Sequence, residues 1–217
     1  MTLPLNTIIC GDCLDVMKTF EDKSVDLVLT DPPYGIGENN EQNLSRAHST
    51  AANDYGHSEW DNQPPSAEYF TELIRVSKNQ IIFGGNYFEL PPSPCWIVWN
   101  KKTSGDFADA ELAWTSFKSA VRMFEWLWNG YRQEDMVHKE ERFHLTQKPL
   151  PLMMWCLEKY SKPGMTVLDP FMGSGTTCVA CKKLGRNFIG IEKEPAYVAI
   201  AKKRLEKVNN HKIEEWF

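Results

Sequence analysis

The stretch Asp31-Pro32-Pro33-Tyr34 gathers one carboxylate, stiff backbone carbonyls and one aromatic face within four residues. Proline has no N–H and a fixed φ, so two in succession keep the loop out of a sheet ladder and leave its carbonyls free as acceptors. Those groups suit a flat ring that bears an amino group. A second stretch, Asp169-Pro170-Phe171-Met172-Gly173-Ser174-Gly175-Thr176-Thr177, is a glycine-rich turn opening a helix, and the strand after that helix ends in Glu192. Glycines let backbone N–H groups approach a ligand, a helix N-terminus favours a carboxylate, and an acid about 20 residues on can chelate ribose hydroxyls. This stretch therefore predicts a site for a nucleotide-like ligand. It lacks the three-glycine dinucleotide fingerprint and the Lys-Ser/Thr ending of a phosphate loop.

Asp31-Pro32-Pro33-Tyr34 is similar to the catalytic motif of the amino methyltransferases, and Leu168-Asp169-Pro170-Phe171-x-Gly173-Ser174-Gly175-Thr176 is similar to their cofactor motif. His144-Leu145-Thr146-Gln147-Lys148-Pro149 and Gly11-Asp12 match two further elements, with Leu145 where the family usually has proline. With the catalytic motif first and the cofactor motif last, the chain resembles the beta-class DNA amino-methyltransferases. The resemblance implies S-adenosylmethionine as cofactor, with Asp12 on its adenine amino group, Cys13 beside it and Glu192 on the ribose hydroxyls. It places Asp31, Lys148, Asp169, Phe171, Gly173, Ser174, Gly175 and Thr176 around the rest of the cofactor. Without the resemblance, Asp12 reads as a helix cap, Glu192 as a surface acid and Lys148 as a solvated side chain.

The resemblance further implies site-specific methylation of the N6 amino group of an adenine flipped out of double-stranded DNA, with Asp31, Pro32, Pro33 and Tyr34 as the catalytic residues. An exocyclic amine is a poor nucleophile because its lone pair is delocalised into the ring. Acceptance of its two N–H bonds by the Asp31 carboxylate and the Pro32 carbonyl favours a pyramidal nitrogen, while Tyr34 stacks on the base. An aspartate-first motif leans to adenine. Cytosine N4 is the alternative, followed by an RNA or protein-amide acceptor.

The elements that must position these groups read as a doubly wound, Rossmann-like α/β fold with a mostly parallel sheet and an antiparallel hairpin. Thr7–Cys10 reads as a strand, Cys13–Phe20 as a helix, and Ser24–Thr30 as a buried strand that ends where Asp31 begins. Ser66 to Ser77 reads as a helix opened by a capping serine with Glu68, followed by strands at Gln80–Phe83 and Cys95–Trp99. Glu111–Phe117 and Val121–Trp128 predict an antiparallel hairpin across Lys118–Ala120. Helices at Pro149–Tyr160, 176–184 and Pro195–Val208 alternate with strands at Met165–Leu168 and Asn187–Ile191. The polar stretch 38–63 predicts a mobile lid with Arg46, His48 and His57 as contacts and Trp60 as an anchor. Residues 87–143 predict the DNA-recognition region, in which Lys101, Lys118 and Arg122 are candidate substrate contacts.

At 217 residues and 42% apolar, the chain fits a single methyltransferase domain over 1–217. Met1–Thr7 lacks an export pattern, and no apolar run approaches the roughly 20 residues that span a bilayer, so a cytoplasmic protein with no membrane partner is expected. Cys10-x-x-Cys13 and Cys178-x-x-Cys181 have zinc-type spacing, but they fall in a strand and a helix rather than in knuckle loops, so buried thiols and no metal are expected. The net charge of −5 is uneven: Met1–Asn100 carries 5 basic against 14 acidic residues, and Pro151–Phe217 carries 11 against 7. Such a chain does not grip nucleic acid by global charge; it needs a local patch, and so little recognition material suggests a homodimer.

Overall fold

Val25–Thr30 has apolar residues on both sides of its pleat, and such a strand is stable only where helices cover both faces of a sheet. The computed structural model, which describes residues 3–36, 63–103, 108–129, 132–143 and 146–208, places it there. The elements are β1 (Thr7–Cys10), α1 (Cys13–Lys18), β2 (Val25–Thr30), α2 (Ala67–Val76), β3 (Ser77–Phe83), β4 (Trp96–Asn100), β5 (Ala110–Thr115) and β6 (Arg122–Glu125). Then follow β7 (Trp128–Asn129), β8 (Arg132–Gln133), α3 (Leu150–Tyr160), β9 (Thr166–Asp169), α4 (Thr176–Lys183), β10 (Asn187–Glu192) and α5 (Pro195–Lys207).

The main sheet has the order β1-β10-β9-β2-β3-β5-β4-β6, and its first five strands are parallel. Met17 of α1 and Phe70, Leu73 and Val76 of α2 pack on one face against Val28, Ile82 and Ile189. On the other face Leu152, Cys156, Cys178, Ala180 and Ala201 from α3, α4 and α5 pack against Leu29, Ile81 and Val167. Each strand thus sends alternate side chains into two cores, which is the doubly wound arrangement.

The hairpin expected over Glu111–Trp128 does not form. β5 lies between β3 and β4, antiparallel to both, and β6 pairs parallel with the far side of β4. Ala113, Trp114 and Thr115 are buried, so β5 takes a central position, while β6 exposes Arg122, Met123 and Glu125 at the edge. Capping also departs from expectation. Ser66 makes no side-chain cap bond and Glu68 pairs with exposed Lys18, whereas Asp12 caps α1 by accepting from the N–H groups of Leu14 and Asp15. Cys95, Cys156, Cys178 and Cys181 are buried, but Cys10, on edge strand β1, is exposed. No helix among the described residues is long and apolar enough to cross a membrane.

Gly190 of β10 sits where strand and glycine loop touch: a Cβ there would strike Met172 Sδ and come within 2.8 Å of Cys178 Sγ. Gly190→Ala is expected to cost about 1–3 kcal/mol by overpacking. At about 2–4 °C per kcal/mol, thermal unfolding should show a drop of a few degrees, and an unchanged midpoint would contradict this packing.

Candidate active site

β2 and β9 pair in parallel, Leu27 with Val167 and Val28 with Leu168, yet the chain runs from β2 to β3 on one side and from β9 to β10 on the other. A crevice opens at the carboxyl ends of strands where the order diverges in this way. Asp31 is the first residue after β2, and Asp169 is the last of β9. The Thr30 hydroxyl joins them by donating to Asp169 Oδ1 at 2.9 Å. Burial pushes the Asp169 carboxyl up to about 7, against the pull of Thr177, Thr30 and the Phe171 N–H.

Four alternating charges line the Asp31 side. Lys148 Nζ, only 6% exposed, lies 2.6 Å from Asp31 Oδ2 and 3.1 Å from Glu111 Oε2, and Lys101 Nζ donates to Glu111 Oε1 at 2.7 Å. The Lys148–Glu111 approach is a charge contact outside hydrogen-bond angles, so Glu111 Oε2 is buried without a hydrogen bond. Tyr34 OH donates to Asp31 Oδ1 at 2.8 Å and accepts from Lys148 at 3.3 Å. Burial holds the Asp31 carboxyl above its usual range despite Lys148. Burial also opposes the Lys148 charge, but Asp31 and Glu111 outweigh it and keep the ammonium protonated. Glu111, half-buried but flanked by Lys148 and Lys101, is brought down to about 2 against the opposing effect of desolvation. The Tyr34 ring lies stacked on Tyr87 with centroids 4.9 Å apart, and Gly84, at φ 67°, lets the backbone pass against that ring where a Cβ would collide.

Glu192 anchors the glycine loop. Its Oε2 accepts from Gly173 N at 2.9 Å, its Oε1 accepts from Glu194 N at 2.9 Å, and burial raises its carboxyl. Gly175 is in the left-handed region at φ 84°, and a Cβ there would lie 2.7 Å from Ala201 Cβ, so the loop seats directly on α5. Beside Gly173 the space is open. Ser174 and Thr176 are gripped by Arg204, whose Nη1 donates to Ser174 O, Ser174 Oγ and Thr176 Oγ1 at 2.8, 2.9 and 3.1 Å. Ser174 Oγ donates in turn to Gln147 Oε1 at 3.1 Å. Asp12 and Cys13 stand at the end of β1 next to β10, where Gly11 N donates to Glu192 O. Burial and the Asp12 charge push the Cys13 thiol up to about 12, so it stays neutral. Phe171 packs on Tyr69 with centroids 4.8 Å apart.

Asp31, Tyr34, Lys148 and Lys101 therefore meet at one crevice, with Asp12, Asp169, Phe171, Gly173 and Glu192 along the same edge of the sheet. Lys118 and Arg122 are not brought there. They line a groove of about 490 Å³ with Lys162 and Met165, residues that precede β9, at the opposite end of the parallel strands. Arg46, His48, His57, Trp60, His144 and Leu145 lie outside the described residues. Sequence reasoning missed Glu111, Arg204, Glu140 and Tyr87. For Glu111 the only signal was an acid at the head of an apolar strand.

A sequence model of the DNA methylase family, N6/N4 group, matches residues 95–203. The Type II methyltransferase M.HinfI of Haemophilus influenzae is 31% identical over an alignment covering 94% of this chain and 69% of that protein. The solved M1.HpyAVI–SAM complex is 27% identical, with a TM-score of 0.52 over 92% of this chain and 98% of its own. PvuII DNA methyltransferase, described as cytosine-N4-specific, shares the fold with a TM-score of 0.61 at 16% identity, over 96% of this chain and 88% of its own.

Asp169 makes stability depend on pH. Its folded pKa of about 7 lies above the unfolded value near 3.9, so its contribution is fully present below about pH 4 and is lost as pH rises through about 7. Asp169→Asn mimics the protonated form. Its melting temperature relative to the parent is expected to shift in the variant's favour between pH 4 and 7; a constant difference would mean that Asp169 is ionised throughout.

Proposed function

The chain belongs to the N6/N4 DNA methylase family, and from that membership we propose that it methylates the N6 amino group of an adenine turned out of double-stranded DNA, with Asp31 and the Pro32 carbonyl as acceptors that activate the nitrogen. It is a DNA methyltransferase that uses S-adenosylmethionine. The observation that carries the reading is the position of Asp31, directly after the strand adjacent to the one that leads into the glycine loop.

The groups present fit the cofactor. Glu192 accepts one bond at each oxygen, from Gly173 N of the loop and from Glu194 N of its own turn, and keeps lone pairs for ribose hydroxyls. Asp12 caps α1 through Oδ1, which leaves its second oxygen for an adenine amino group. The open side of Gly173 admits the methionine end. Ser174 and Thr176 support that loop through Arg204, and Lys148 belongs to the amino-group end rather than the methionine end.

When bound, S-adenosylmethionine supplies a methyl on a sulfonium, an electrophile that needs no activation by the protein. What the chain supplies is position and electrostatics. Asp31 accepts one N–H and the Pro32 carbonyl the other, so the lone pair leaves the ring plane. Tyr34, fixed through its hydroxyl to Asp31 and Lys148, offers its ring to the base beside Tyr87. Asp31 is also the nearest base for the proton that the methylated nitrogen must shed. No base inside a duplex presents this nitrogen to a protein pocket, so the target is flipped out at a cost of a few kcal/mol. We assign the stretch 38–63 and the part of region 87–143 at the catalytic end, Lys101 included, to holding the opened strand, with 1–217 acting as one catalytic unit, paired as a homodimer.

Nucleoside mass spectrometry on DNA from a methylation-free host should show N6-methyladenine with the intact chain and none with Asp31→Ala, which is expected to retain cofactor binding. N4-methylcytosine instead would keep the mechanism and overturn the base, and methylation by Asp31→Ala would overturn the mechanism.

A further inference from the structure

Asp31 has a conflict to resolve. It is part-buried beside a buried ammonium at 2.6 Å, and a carboxylate fully paired with such a neighbour is a weak acceptor for a third group. Both of its oxygens already hold a bond, one from Lys148 and one from Tyr34, so the remaining lone pairs must do the work. Lys148, however, does not belong to Asp31 alone. Glu111 reaches it from β5 on the other side, and Lys101 backs Glu111 in turn. The groups facing Asp31 are thus Lys148, Tyr34, Glu111 and Asp169, with Lys101 one contact further out.

We propose that Glu111 is a positioning residue for methyl transfer: by sharing the charge of the Lys148 ammonium from the β5 side, it lets Lys148 orient Asp31 without neutralising it, so that Asp31 keeps its acceptor strength for the amino group. The inference rests on the proposed reading of Asp31. It explains why a half-buried carboxylate, its Oε2 shielded from solvent, stands 3.1 Å from the Lys148 ammonium as a charge contact, since its task is electrostatic. In Glu111→Gln the ammonium, already 2.6 Å from Asp31, loses its second carboxylate and pairs with Asp31 alone. The nitrogen then loses its acceptor, and Asp31, freed of a like charge and more fully paired, titrates at lower pH.

The test is the single-turnover rate of methyl transfer to DNA as a function of pH. Glu111→Gln is expected to lower the plateau rate tenfold or more, with KM for cofactor and DNA unchanged. The acid limb should move down by about half a pH unit or more, and Glu111→Asp should recover part of the rate. A parent-like rate, or a slowed rate with an unmoved acid limb, overturns the proposal. If Glu111→Gln does not fold, Lys101→Met decides: it strengthens the hold of Glu111 on Lys148, so the acid limb must move up, and an unmoved limb overturns the proposal. Should the parent methylate no base, the reading of function fails, and the charge row is judged by the carbon NMR titration of the Asp31 carboxyl. There, a lower midpoint in Glu111→Gln supports the row and an unchanged one overturns it.

Discussion

The parallel pairing of β2 with β9 is the constraint on which the site depends. These strands are separated by more than a hundred residues, yet Leu27–Val167 and Val28–Leu168 set their register, so the loops that follow them open side by side. A one-residue slip would exchange the faces of Leu27 and Leu29, which enter one core, with that of Val28, which enters the other. Two cores therefore guard the register, and the register fixes the approach of Asp31 to the glycine loop. Thr30 adds a check on this pairing, since its bond to Asp169 forms only when the strand ends are level.

Position alone is insufficient in so buried a place. Lys148, Asp31 and Glu111 would each be costly to bury singly, and the row Lys101–Glu111–Lys148–Asp31 makes burial tolerable because every charge has an opposite neighbour. The row also explains why β5 is inserted between β3 and β4. An antiparallel strand there enters from the catalytic end and brings Glu111, its second residue, level with the crevice. A hairpin of β5 with β6 would have left Glu111 at the sheet edge and Lys148 with Asp31 as its sole counter-charge.

Much of this was legible in local pattern. The strand–helix alternation and the motif residues Asp31, Lys148, Asp169, Gly173 and Glu192 depend on nearby sequence, and the structure brings them to one edge. What was not legible depends on pairing between distant segments. Trp114 and the residues after it read as half of a hairpin because Lys118–Ala120 resembles a turn, but burial on both sides gave β5 two other partners. Lys118 and Arg122 sit among aromatics as a nucleic-acid groove would require, but nothing local tells which end of a strand they reach. β5 runs about 20 Å from the catalytic end to theirs. Glu111 read only as the first residue of a strand, because a charge row formed across four segments has no linear signature.

Two loops that the proposed reaction brings to one nitrogen must also be kept in mutual register once both have left the sheet. This falls to Glu140 and Arg204. Glu140 accepts from Leu150 N at 2.8 Å, from Gln147 Nε2 at 3.0 Å and from Arg204 Nη2 at 3.2 Å, while Arg204 holds Ser174 and Thr176. One carboxylate and one guanidinium thus join the Lys148 segment, the glycine loop, α5 and the end of region 87–143. Burial raises the Glu140 carboxyl and lowers the Arg204 guanidinium, so each charge depends on the other's presence, and loosening either loop would strand a buried charge. The methyl transfer proposed above, in which the protein contributes position rather than covalent chemistry, needs such a tie: with Lys148 orienting the acceptor and the glycine loop holding the cofactor, the line between nitrogen and methyl is straight only if the two do not move apart.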